Sequence, residues 1–209
     1  MKVIAVLNQK GGSGKTTIST HLARAFQLAD YNCLLVDSDP QGSARDWGAV
    51  REDNPVSVIG IDRPTIERDL KHISNKDVII IDGAPQASDL AVSAIKAADV
   101  ILIPVQPSPY DIWATSELVD LVKSRIEITD GKLKAAFVVS RSIKGTKLGN
   151  EIFQALADYG LPVLETSITQ RISYPTSASL GVTVLDNKID ENAASEIHRL
   201  FKEIKEKFL

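Results

Sequence analysis

The chain has 209 residues, 44% of them hydrophobic but only 5% aromatic, with a formal net charge of −3. That length suits one substantial α/β domain, and a core of Ile, Val, Leu and Ala suits a parallel sheet covered by helices. The charge balance excludes an all-basic surface, so any nucleic-acid contact would be a local patch, and the single cysteine, Cys33, excludes an intrachain disulfide or thiolate cluster and reads as a small buried hydrophobe.

Val3 to Leu7 is predicted to be the first strand, and Ile18, Leu22, Ala25, Phe26 and Ala29 recur at helical spacing after it. Between them lies Lys10, Gly11, Gly12, Ser13, Gly14, Lys15, Thr16, Thr17. Glycines at three of four positions let backbone N–H groups turn inward, and a helix N-terminus adds partial positive charge, which together make a phosphate cradle. Lys15 is placed to reach the terminal phosphates and the Thr16 hydroxyl to meet Mg²⁺, the mechanics of GxxxxGK[ST]. Gln9 stands where that motif has its first glycine, and Lys10 is an extra lysine.

Asn32 to Val36 reads as a second strand, running into Asp37, Ser38, Asp39, Pro40 and Gln41. A crossover helix between two strands makes them parallel, so these carboxylates reach the same edge as the phosphate loop. Two residues apart, Asp37 and Asp39 are expected to project together, one toward metal and one toward the attacking water. Val56 to Ile61 reads as a short strand and Thr65 to Ile73 as a short helix. Asp77 to Asp82 is a strand delivering Asp82 to that edge, as a Walker B aspartate holding the metal. Val100 to Pro104 is a further strand, and the prolines at 107 and 109 are expected to forbid regular structure after it. A helix with Leu118, Leu121 and Val122 inward precedes a strand over Lys134 to Ser140. A helix from Leu148 to Tyr159 stops at Gly160. Pro162 to Ile168 is read as the last strand, Thr169 to Thr183 as irregular, and Asp190 to Phe208 as a helix with Ala193, Ile197, Leu200, Phe201, Ile204 and Phe208 on one face. No run of about 18 apolar residues occurs and no leader precedes the first strand, so a cytoplasmic protein without a membrane span is expected.

KGGSGKTT resembles the deviant Walker A box of the ParA/MinD ATPases, with Lys10 at the signature lysine. DSDPQ is similar to the family's switch I, and Asp82, Gly83, Ala84, Pro85 to its switch II, although many relatives carry two prolines there. DPQGSARDW, PVQPSPYDIWA and SITQRISY look like the small ParA-type partition ATPases that lack an N-terminal helix-turn-helix domain. The resemblance implies an α/β fold of P-loop NTPase type, a mostly parallel twisted sheet flanked by helices, with residues 1–209 as a single ATPase domain. It implies ATP and Mg²⁺ as cofactors, with Thr16, Asp37 and Asp82 at the metal and Asp39 orienting the water. Pro107 to Pro109, Ser140 and Arg141 would flank the adenine; no guanine-specifying NKxD-type string is present there. A homodimer would form on ATP binding, with Lys10 reaching the partner's phosphates. Non-specific DNA, a ParB-like or other adaptor and association with the nucleoid complete the implied set, with Arg171, Lys144, Lys147 and Lys188 as DNA candidates beside Arg141, Arg199, Lys202 and Lys205. The alternative of another class is a MinD-like membrane switch anchored by the C-terminal helix. Trp47 and Trp113, inside the shared strings, are expected to be packing residues, with a direct role at the dimer interface as the alternative.

Overall fold

The computed structural model describes the chain except residues 86–88, 144, 146 and 187–189; of residues 147–150 it describes the backbone alone. Its strands are β1 Lys2–Val6, β2 Cys33–Asp37, β3 Ser57–Gly60, β4 Val78–Asp82, β5 Val100–Val105 and β6 Lys134–Val139. They form one sheet in the order β3-β2-β4-β1-β5-β6, every pairing parallel. The helices between and after them are α1 Lys15–Leu28, α2 Ser43–Ala49, α3 Ile66–Leu70, α4 Asp89–Ala97, α5 Pro109–Trp113, α6 Ser116–Ile128, α7 Lys147–Ala157, α8 Ser173–Ser179 and α9 Glu191–Phe208.

The central strands are apolar on both faces because helices cover both. Along β1, Ile4 and Val6 face one layer, with Leu22 and Phe26 of α1 and Ile197, Leu200 and Ile204 of α9. Val3, Ala5 and Leu7 face the other, with Ala94 of α4, Leu118 and Val122 of α6, and Ile152 of α7. The period-two alternation of a strand thus splits one apolar run between two cores. β4 and β2 end level with each other, Asp82 beside Asp37, and Asp82 also lies opposite Val6, where β1 gives way to the phosphate loop.

Three expectations fail locally, for reasons of backbone hydrogen bonding. Residues 162–168 follow β6 but are not a strand; only isolated bridges form, Phe137 to Val163 and Ser142 to Thr169. Pro162 has no N–H to give, and the Glu165 and Thr166 amides donate instead to the Glu203 carboxylate on α9, at 2.8 and 2.9 Å. The segment after Pro107 is also not irregular, since Pro109 opens α5 at a helix position whose N–H has no intrahelical acceptor. Within the stretch expected to be irregular, α8 forms with Pro175 in its first turn, where the same tolerance applies.

The tryptophans part company. Trp47 is buried and its Nε1–H donates to Val182 O at 3.1 Å. Trp113 is 63% exposed and meets Tyr110 edge to face on the outer side of α5, contrary to the packing expected of it. Cys33 is buried, and burial pushes its thiol up to about 12, so it behaves as an inert hydrophobe.

Candidate functional site

The phosphate loop leaves β1 and enters α1 through Gly14, whose φ of 94° is in the left-handed region. No side chain caps α1 and no acidic residue lies in its first turn, so the first amides face an anion site without competition. The loop is held from behind by side chains. Asn8 donates to Pro104 O at 2.6 Å and its Oδ1 accepts from Lys10 N at 2.8 Å. Ser140 Oγ donates to Ser13 O at 2.6 Å, while Gln106 and Arg141 both donate to Gly12 O at 3.0 Å.

A cavity of about 780 Å³ opens over this loop. Gly11, Gly12, Gly14, Lys15, Thr16 and Thr17 line one part of it, with Asp39 and Pro85 beside them. Lys15 is buried with its ammonium against Lys10 O at 3.1 Å, and burial holds its pKa below the ordinary lysine value against the pull of Asp82 and Asp39.

Asp82, at the end of β4, is the most perturbed acid of the site. Burial pushes its pKa up to about 7, although Thr16 Oγ1 donates to Oδ2 at 2.7 Å and Ser19 Oγ to Oδ1 at 3.0 Å. A buried carboxylate ringed by hydroxyls and short of positive charge suits a cation, and hydroxyl plus carboxylate is the hard-oxygen set of a magnesium ion. Gly83 then bends the chain: its N–H donates to Val6 O at 3.0 Å, and a Cβ there would lie 2.4 Å from Leu7 Cδ2 and 2.8 Å from Val6 O. Only glycine fits where the chain has Gly-Ala-Pro.

The two switch aspartates diverge. Asp39 lies on the cavity, with its Oδ1 accepting from Gln41 N at 2.9 Å. Asp37 is fully buried and both its oxygens are used locally, by Asp39 N at 3.0 Å and by Arg45 N at 2.8 Å, with Arg45 Nε at 3.5 Å. The geometry gives Asp37 the task of shaping the loop that opens α2.

Lys10 points away from its own phosphate loop. Its ammonium pairs with Asp111 Oδ2 on α5 at 2.8 Å. Asp111 is buried, and its Oδ1 has no hydrogen-bond partner among the described residues.

Pro107 does not line the cavity, whereas Ser140 and Arg141 do. The remaining wall is formed by Ile168, Thr169, Gln170, Arg171, Ile172 and Tyr174, with α8 behind. Of the DNA candidates, Lys144 and Lys188 lie outside the described residues, as does the side chain of Lys147, whose backbone begins α7. Arg171 is held by Glu196 Oε1 at 3.0 Å and Asp190 Oδ2 at 3.4 Å, which turns it inward rather than toward a polyanion. Ser19, Gln106, Asp111 and the wall of residues 168–174 are site features that the motif reading misses. Ser19 had a local signal, one helical turn beyond Thr16, while Gln106, Asp111 and residues 168–174 stood inside strings noted only for their resemblance.

A glycine-rich loop feeding a helix, with a buried acid at the end of the adjacent parallel strand, defines a P-loop nucleotide-binding protein. More narrowly, residues 4–184 match the CobQ/CobB/MinD/ParA nucleotide binding domain, and the chain belongs to that family, which includes the ParA and MinD ATPases. It is 34% identical over 208 residues to a maintenance of carboxysome distribution protein A from Halothiobacillus neapolitanus, covering 96% of this chain and 95% of the relative. It is 25% identical over 234 residues to the chromosome-partitioning ATPase Soj of Thermus thermophilus, covering 96% and 94%. In fold it is similar to a McdA variant from Cyanothece solved with ATP, at a TM-score of 0.81 and 18% identity, covering 99% of this chain and 95% of that one.

Proposed function

We propose that this protein is an ATP-driven positioning switch, working as one unit over residues 1–209. The observation that carries the reading is the convergence of Lys15, Thr16 and Asp82 on one sheet edge, with Asp39 on the same cavity. Lys15 and the loop amides hold the phosphates, and the Thr16 hydroxyl and Asp82 carboxylate would hold magnesium. The ion, when bound, would offset phosphate charge. Asp39 orients the attacking water and accepts its hydrogen bond. ATP is hydrolysed to ADP and phosphate, slowly until a ParB-like or other adaptor is present.

In this reading ATP closes a homodimer in which each Lys10 leaves Asp111 and reaches the phosphates of the partner subunit. The closed dimer holds DNA without regard to sequence, through phosphate contacts from basic residues such as Arg199, Lys202 and Lys205, which are exposed on α9. Hydrolysis releases it from the nucleoid. The 34% identity to a carboxysome distribution protein favours a large protein assembly as cargo over a plasmid or chromosome segment.

The membrane alternative finds little support. The face of α9 that would enter a bilayer is spent on the core, since Ala193, Ile197, Leu200 and Ile204 are fully buried. Among the described residues no helix is long and apolar enough to cross a membrane.

The test is retention of random-sequence duplex DNA by the purified protein with ATP, with ADP and without nucleotide, at low and raised salt. Salt-sensitive retention with ATP alone, prolonged in Asp39→Ala, is the expected result. Equal behaviour under all three conditions, matched by Lys15→Gln, would remove the DNA part of the reading.

A further inference from the structure

Glu196 lies in α9, far along the chain from any nucleotide motif, yet it is only 1% exposed, and among the described residues four groups of Thr169, Arg171 and Tyr174 converge on its carboxylate. Thr169 donates through its amide to Oε2 at 3.1 Å and through its hydroxyl to both oxygens at 2.9 Å. Arg171 Nη2 donates to Oε1 at 3.0 Å and the Tyr174 hydroxyl to Oε2 at 3.4 Å. Thr169, Arg171 and Tyr174 all line the nucleotide cavity.

A second tie runs in parallel. Asp190 caps α9 with Oδ1, accepting from Asn192 N and Ala193 N at 3.0 Å, while Oδ2 accepts from Ser173 Oγ at 3.0 Å and faces Arg171 Nη1 at 3.4 Å. From the opposite side the Tyr174 ring meets the His21 ring edge to face, with centroids 5.2 Å apart. Backbone hydrogen bonds fix the first residues of the wall beside β6, with Ile168 N donating to Val139 O at 2.9 Å, Ser142 N to Ile168 O at 3.0 Å and Gln170 N to Ser142 O at 2.9 Å, whereas the side chains of Arg171 and Tyr174 are held by the carboxylates. Burying a carboxylate is costly unless it is fully hydrogen-bonded, and an apolar residue would pack α9 as well. Thr169, Arg171 and Tyr174, which Glu196 gathers, are residues of the cavity.

The phosphate loop takes the phosphates, so the nucleoside must occupy the rest of the cavity, against residues 168–174. We propose that Glu196 is a positioning residue for the nucleoside half of the ligand, fixing Thr169, Arg171 and Tyr174 as the wall on which base and sugar rest. Arg171 is then a member of this wall rather than a contact to DNA. This proposal rests on the reading of the cavity as an ATP site.

The experiment compares wild type, Glu196→Gln and Arg171→Gln for binding of a fluorescent ATP analogue with magnesium, and for its displacement by ATP or by inorganic tripolyphosphate. Losing a hydrogen bond to a charged group should weaken ATP in either variant by about 10-fold. Tripolyphosphate, which needs only the phosphate loop, should displace with unchanged affinity. A purely structural glutamate would instead lower the melting temperature while leaving the ratio of ATP to tripolyphosphate affinity unmoved, and that result overturns the proposal. Equal weakening of both ligands overturns it as well. If Glu196→Gln does not fold, Arg171→Gln carries the same reading. Failure of wild type to bind ATP would instead sink the site assignment on which all this stands.

Discussion

At the phosphate end of the cavity the backbone makes the site: glycines, the open end of α1 and the level ends of β1, β2 and β4 bring donors and carboxylates to one edge. At the nucleoside end the wall is tied to the end of β6 by backbone hydrogen bonds as far as Gln170, and its side chains are held by Glu196 of α9 and by Asp190, which caps that helix. The first end is fixed by residues near one another in sequence or by strand register. The second depends on whether α9 is docked. A substitution that acts on chemistry should therefore leave the fold alone at the first end, whereas one that loosens α9 should reach the nucleoside before the phosphates.

The largest effect should come from the phosphate end. Asp39→Ala removes the group placed to orient water, so hydrolysis should fall by roughly 10²- to 10⁴-fold while ATP is still bound; phosphate release beside a binding isotherm measures the two. If binding and turnover fall together, Asp39 holds the ligand instead. The counterpart at the other end is Leu200→Ala. Leu200 is fully buried between α9 and the sheet, and its loss should cost about 2–5 kcal/mol of stability, read by denaturant unfolding. Below its melting temperature this variant should lose ATP affinity more than tripolyphosphate affinity.

This division also explains what could be read from the sequence. The strands that became β1, β2, β4, β5 and β6 were continuous apolar runs, and the parallel rule then placed Asp39 and Asp82 beside the phosphate loop. The second end left no such trace. Residues 162–168 look like a strand, but the amides of Glu165 and Thr166 in their middle were claimed by Glu203, 38 and 37 positions away, and no local pattern reports that. Glu196 among the lysines and arginines of α9 reads as one more surface charge until its burial is seen. Asp111 and Lys10 are 101 residues apart, so their pairing is invisible before folding.

His21 joins the two ends and can be followed by pH. Its Nδ1 faces Thr17 O at 2.7 Å, Val184 N donates to its Nε2 at 3.2 Å, and burial lowers its pKa to about 4. The unfolded chain takes up this proton near 6.5, before the folded one does. Stability from this residue is therefore complete above pH 6.5 and lost as pH falls toward 4, by on the order of 3 kcal/mol in total. The check is the difference in unfolding free energy between wild type and His21→Gln across pH 4 to 8, in which titration common to both proteins, that of Asp82 included, cancels. A flat difference would mean that the imidazole is not buried neutral.

Lys10 belongs to the phosphate loop by sequence but is anchored like the other end, by a single long-range contact, and it should give the smallest effect. Its ammonium is partly exposed, so the attraction itself is worth little. The greater cost falls on Asp111, whose Oδ1 lacks a partner among the described residues and whose Oδ2 would lose the Lys10 ammonium. Lys10→Ala should thus destabilise the nucleotide-free protein by about 1–3 kcal/mol, the penalty of a buried acceptor left unsatisfied. Asp111→Asn keeps the shape without the charge, so in the double variant most of that loss should return; additive costs would mean that the two residues are not coupled. The sign matters for the switch. A lysine that stabilises the single subunit must give up that contact before it can serve a partner's phosphates, so Asp111→Asn should also let the ATP-bound dimer form at lower protein concentration, measured by light scattering, and an unchanged threshold would show that the pair does not restrain it.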